Sequence, residues 1–114
     1  RNYADLTSET LVADSLLATI LEPHRGKVVY ADFCGSWCGP CKALAPMIEE
    51  LGKEYDGKVD VYKVNVDDER ELAKLFNVRS IPTLLFIPME GNPQMSVGAM
   101  SKAELSKRLD ELVG

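Results

Sequence analysis

Residues 27–55 read KVVYADFCGSWCGPCKALAPMIEELGKEY. The stretch opens with Lys27 and then Val28-Val29-Tyr30-Ala31-Asp32-Phe33, a nearly continuous apolar run suited to a strand covered on both faces. One acid, Asp32, interrupts it. The far end carries Leu44, Met47, Ile48, Leu51 and Tyr55 on one helical stripe, with Pro46 inside it as an expected kink. Between strand and helix stand Cys38 and Cys41, spaced to lie within disulfide reach at a helix start. The unpaired N–H groups and the dipole of a helix N-terminus favour a thiolate at the first of them. Cys38 is therefore the expected nucleophile, exposed at the helix end, and Cys41, a turn inside, the less accessible resolving thiol. Pro40 stiffens the segment between them.

Outward from this segment, the remaining elements follow in a regular order. Residues 2–6 suit a short edge strand. From Thr7 the pattern turns helical, with Leu11, Val12, Leu16 and Ile20 near helical spacing, Thr7 or Ser8 as N-cap, and Pro23 and Gly26 at the end. Beyond Gly57, Val59, Val61, Tyr62, Val64 and Val66 form a β-branched strand. Asp67 or Asp68 is the expected cap of a short helix carrying Leu72, Leu75 and Phe76, and the run Asp67-Asp68-Glu69 reads as acids complementing that helix dipole. Residues 83–87 form another buried strand, and Glu90-Gly91-Asn92 turns into a strand over residues 94–97. Ser101 and Glu104 make a capping box for a last helix with Leu105, Leu109, Leu112 and Val113 inward. The order β-α-β-α-β-α-β-β-α predicts an α/β fold: a mixed central sheet with helices on both faces, its early strands joined by right-handed crossovers.

With 114 residues the chain is expected to be a single domain spanning residues 1–114. Hydrophobic residues at 46% exclude global disorder, and no apolar run approaches the roughly 20 residues of a membrane span. A net charge of −5 argues against binding nucleic acid through its phosphates. The three cysteines all lie between Cys34 and Cys41, too few and too clustered for a disulfide scaffold.

The run Trp37-Cys38-Gly39-Pro40-Cys41-Lys42, after a strand ending Asp32-Phe33, resembles the thioredoxin family. The similarity continues in Lys63-Val64-Asn65-Val66-Asp67, in Ile81-Pro82-Thr83, and in Val97-Gly98-Ala99 followed by Ser101, all in the family's order. It covers roughly residues 25–114 and implies the thioredoxin fold and a thiol–disulfide oxidoreductase that reduces protein disulfides. By this resemblance Cys38 is the attacking cysteine and Cys41 the resolving one, together forming a redox-active disulfide. Asp32 is the buried acid that exchanges a proton with Cys41, and Lys63 is its neighbour. Pro82 is a cis-proline facing the cysteines, and Trp37, Gly39, Pro40, Ile81, Gly98 and Ala99 form a flat apolar rim that receives substrate. No metal or cofactor is implied. Expected partners are protein disulfides and either a thioredoxin reductase or a membrane thiol donor, with the chain acting as a monomer.

Other readings stand beside these. The same cysteines could serve an exported oxidase or isomerase, and the family also includes non-catalytic partner subunits. The chain begins at Arg1 rather than Met, which fits an exported, processed chain, whereas the Gly-Pro dipeptide fits a cytoplasmic reductant; both compartments stay open. A zinc site would need Cys34, Cys38, Cys41 and His24 together, but His24 lies in a loop across a buried strand. The three cysteines also reproduce a radical-SAM spacing, a chemistry that needs a far larger barrel. The plain departure from the family is Cys34, where an aromatic residue, often Trp, is common. Cys34 is expected to be a fully buried, inert hydrophobe, with a third redox thiol as the alternative.

Overall fold

The computed structural model describes residues 2–6 and 27–114. The helix expected from Thr7 onward, and His24, lie outside the described residues. The elements in chain order are β1 (Ala4–Asp5), β2 (Val28–Cys34), α1 (Gly39–Glu54), β3 (Val59–Asn65), α2 (Arg70–Leu75), β4 (Thr83–Ile87), β5 (Gln94–Val97) and α3 (Lys102–Val113). The strands form one sheet in the order β1-β3-β2-β4-β5. β3 runs parallel to both β1 and β2, whereas β4 is antiparallel to β2 and β5 antiparallel to β4. The sheet is mixed, as the element order predicts.

The apolar run of β2 makes it the central strand, and its alternation divides the core. Val28 and Tyr30 face one side, with Val59, Val61, Leu84 and Phe86, beneath Leu44, Ile48 and Leu51 of α1 and Leu105 and Leu109 of α3. Ala31 and Phe33 face the other, with Val64, Leu85 and Ile87, against Leu72 of α2. Aromatic edges lock each side: Tyr30 meets Phe86 at 5.3 Å between ring centroids, and Phe33 meets Phe76 at 5.8 Å. Helices thus cover both faces of the sheet.

Local signals mark several boundaries. Ser101 and Glu104 form the expected reciprocal capping box at the start of α3. α1 opens at Gly39, two residues before Cys41, because Cys38 serves as its extended N-cap and Pro40 has no N–H to lose in a first turn. The helix then continues through Pro46 to Glu54. One cap differs from expectation: α2 begins at Arg70 with Glu69, not Asp67 or Asp68, as N-cap. Asn65 is the reason. Its side chain accepts from the N–H groups of Asp67 (2.9 Å) and Asp68 (3.4 Å), which holds these residues in a turn ahead of the helix.

Asn2 fastens the start of the N-terminal segment. Asn2 Nδ2 donates to the carbonyls of Gly52 and Val59, both at 2.8 Å, and its Oδ1 accepts from the Val61 N–H at 3.3 Å. This approach requires glycine at 52, because a Cβ there would run into the Asn2 carbonyl oxygen. Gly52→Ala is expected to cost about 2 kcal/mol, since a backbone atom must move to admit the methyl group. Urea denaturation checks this, and an unchanged midpoint would show that the segment slides freely.

Candidate active site

β2 delivers its last side chains to the rim of the sheet, where α1 begins. Alternation along the strand puts Tyr30, Asp32 and Cys34 on the face that α1 covers. Asp32 is 1% exposed. Its Oδ2 accepts from the Tyr3 hydroxyl at 2.8 Å and lies 3.5 Å from that of Tyr30. Its Oδ1 has no hydrogen-bond partner among the described residues. Burial raises this carboxyl to about 7, against the smaller opposing pull of the Tyr3 and Tyr30 hydrogen bonds and of the Lys63 charge. Lys63 is the register partner of Asp32 on β3. Its ammonium lies 3.9 Å from Asp5 Oδ1 and 5.3 Å from the centre of the Tyr3 ring, so it acts on Asp32 through its field.

All three cysteines are unbridged. Cys38 N–H donates to the Gly35 carbonyl at 3.1 Å, and the Cys38 carbonyl accepts from Lys42 in the first turn of α1. Cys34 and Cys41 line the same cleft, and the three thiols act on one another electrostatically. Burial pushes the Cys41 thiol up; the Cys34 contact and the Gly35 N–H lower it, while the contact with Cys38 raises it. Burial, the bond to Cys41 and the nearby Asp32 charge hold Cys34 far above the ordinary thiol range. A cleft of about 300 Å³ opens beside these groups, lined among others by Asp32, Cys34, Cys41, Lys42 and Lys63.

Two expectations about exposure are corrected. Cys38 is buried rather than exposed, at 5% against 6% for Cys41, and its N–H is tied back to the Gly35 carbonyl. Position at the N-cap, not accessibility, separates the two sulfurs. Cys34 is half-buried rather than fully buried, because it ends its strand beside the cleft.

Of the residues expected to form the rim, Trp37 is 68% exposed, and Gly39, Pro40 and Ala99 are open to solvent. Ile81 and Gly98 are half-buried, and Pro82 is buried. The Ile81–Pro82 peptide is cis, as the resemblance implies, and Gly98 N–H donates to the Pro82 carbonyl at 2.8 Å. Gly98 has φ 98°, a left-handed conformation that glycine adopts without strain. Among the described residues, no group of His, Cys, Asp and Glu is arranged to hold a metal ion.

Three contributors go beyond the site residues expected from the sequence. Tyr3 comes from the other end of the chain with no local signal. Tyr30 was legible, since a residue two before Asp32 on a strand shares its face. Asp67 is the third: rather than serving only the dipole of α2, it accepts from the Trp37 indole N–H at 3.0 Å. The indole lies over Gly35, where a Cβ would come within 2.9 Å of Trp37 Nε1. The missing side chain at Gly35 leaves this space to Trp37. Asp67→Ala is expected to free the ring; as the only tryptophan, Trp37 should lose fluorescence anisotropy while stability falls by less than about 1 kcal/mol. Unchanged anisotropy would mean that Gly35 and its neighbours alone hold the indole.

With this geometry in place, comparison with known proteins is decisive. A family model described as Thioredoxin matches residues 9–111. The chain belongs to the thioredoxin family. It is 44% identical over 112 residues to thioredoxin 2 of Chlorobaculum tepidum, covering 98% of this chain and 96% of that one. Over 83 residues it is 41% identical to a thioredoxin of Borreliella burgdorferi, covering 73% and 71%. Among solved structures, chloroplastic thioredoxin z superposes with a TM-score of 0.82 at 25% identity over 98% of this chain and 95% of that one. A Malassezia sympodialis thioredoxin gives 0.79 at 26% identity, covering 100% and 92%. The fold is the thioredoxin fold, and the activity is that of a thiol–disulfide oxidoreductase. Disulfides are its substrates, and no helix among the described residues is long and apolar enough to cross a membrane.

Proposed function

We propose that this oxidoreductase works as a protein-disulfide reductase, with Cys38 as nucleophile and Cys41 as resolving thiol. The observation that carries the reading is the placement of Cys38 at the N-cap of α1, with Cys41 inside the first turn and lining one cleft with the buried Asp32. The Cys38 thiolate attacks one sulfur of a substrate disulfide, and the electron pair leaves on the other sulfur. A mixed disulfide joins Cys38 to the substrate. Cys41 then gives its proton to the Asp32 carboxylate and attacks Cys38 Sγ, which releases the second substrate thiolate and closes Cys38–Cys41. Oδ1 of Asp32, free of the tyrosine hydroxyls, is the open acceptor for that proton.

The exposed Trp37 and Ala99, with cis-Pro82 behind them, form the rim on which an extended substrate segment lies. Lys63 moderates the acid from the neighbouring strand. The oxidised protein is returned by an external thiol donor of the thioredoxin reductase kind, or by a membrane thiol donor.

Reduction potential tests this direction of flow. Thioredoxins as a class poise near about −270 mV, and a value in that range, with rapid insulin reduction fed by a dithiol, is the expected result. A potential of roughly −120 to −180 mV would assign the chain to oxidation or isomerisation instead.

A further inference from the structure

We propose that Cys34 is a third redox-active thiol, which exchanges into the Cys38–Cys41 disulfide to give an alternative Cys34–Cys41 bridge and return Cys38 to its free form. The inference rests on the reductase reading, in which Cys38–Cys41 is the disulfide formed at each turnover. Three observations support it. Cys34 and Cys41 line the same cleft and each acts on the other's thiol, so the two side chains are neighbours. Cys41 also interacts with Cys38, its partner in the turnover disulfide, so exchange at the Cys41 sulfur needs no large rearrangement. Cys34 is half-buried at the end of β2 and lines the same cleft as Asp32 and Cys41, so its proton has both an acceptor and a way out.

The step balances without an outside oxidant. Cys34 passes its proton to the Asp32 carboxylate, and the thiolate attacks Cys41 Sγ. The Cys34–Cys41 bond forms, the Cys38–Cys41 bond breaks, and the electron pair leaves on Cys38. One disulfide and one thiol stand on each side. Departure is assisted because Cys38 sits at the N-cap of α1, where backbone N–H groups favour an anion. The approach is slow because burial and its bonding hold the Cys34 proton tightly. The rearranged form therefore accumulates when the oxidised protein waits for its reductant. It has a nucleophile without a resolving thiol, so any disulfide it meets remains attached at Cys38 as a lasting mixed disulfide. A cysteine at this position thus gives the protein a dormant form that captures a partner instead of reducing it.

Disulfide mapping tests the proposal. The reduced wild-type chain is oxidised with one equivalent of diamide, held for several hours, quenched in acid, unfolded, and blocked with N-ethylmaleimide before digestion and mass spectrometry. A peptide pair bridged Cys34–Cys41, with the block on Cys38, is expected in roughly a tenth of the molecules or more, the share left by a tenfold preference for the other bridge. A block found wholly on Cys34, with every bridge Cys38–Cys41, would overturn the proposal while leaving the reductase reading intact. Absence of any bridge at Cys38, together with no insulin reduction, would remove both. Cys38→Ser, with its fold verified by circular dichroism, is the second arm. It should lose both remaining thiols on oxidation, as a Cys34–Cys41 bridge; two thiols still free would count against Cys34.

Discussion

Cys38→Ser is expected to lower insulin reduction by on the order of 10³-fold or more, because a serine hydroxyl stays protonated and is a poor nucleophile towards sulfur. Cys41→Ser should lose turnover as completely but for a different reason. Its Cys38 still attacks, and nothing remains to release the product, so mixed disulfides with substrate accumulate and survive non-reducing electrophoresis. Cys34 is a poor substitute in that variant, because burial holds its proton tightly. Equal accumulation in Cys38→Ser would mean that the two roles are reversed.

Asp32→Asn is expected to stabilise the reduced protein by roughly 2–4 kcal/mol at pH 8 and to leave stability unchanged near pH 4. Asp32 titrates at about 7 in the folded chain and near the ordinary carboxylate value, 3.8, when unfolded. Between those values the folded state holds a proton that the unfolded state has lost, so the wild type loses stability as pH rises from about 4 to about 7. Asparagine has no proton to lose and keeps an oxygen for Tyr3 and Tyr30. Denaturant midpoints of both proteins from pH 4 to pH 8 check this, and parallel curves would refute the burial argument. The same variant should resolve mixed disulfides more slowly, because the proton acceptor for Cys41 is gone. Unchanged reduction kinetics across neutral pH would make Asp32 a structural residue.

The parts of this site that could be read from sequence are those set by near neighbours. The strand over residues 83–87, the capping box at Ser101 and Glu104, and the placement of Cys38 and Cys41 on a strand–helix junction follow from periodicity and helix-end chemistry. The junction also put Cys34 on the face of Asp32, although its contact with Cys41 depends on how α1 settles against β2. What escaped was assembled across long stretches of chain. Tyr3 reaches Asp32 from 29 residues away, and Asp67 reaches Trp37 from 30. Each replaced a reasonable local role, an apolar edge residue and a helix-dipole acid, with a tertiary one. Burial of Cys38 also belongs to this class, since it depends on tertiary packing rather than on the local sequence.

The seat of Tyr3 has a consequence for how protons reach the interior. β1 is two residues long and lies at one edge of the sheet. Edge segments with so few backbone hydrogen bonds fray long before the whole molecule unfolds. When Ala4 and Asp5 lift from β3, the Tyr3 hydroxyl is drawn away from Asp32, and relief of its burial makes the carboxyl more acidic. Opening of the edge is thus a second route for protons beside the cleft, and exchange of the Leu6 amide, which donates to the Lys63 carbonyl at 2.8 Å, reports how often it is taken.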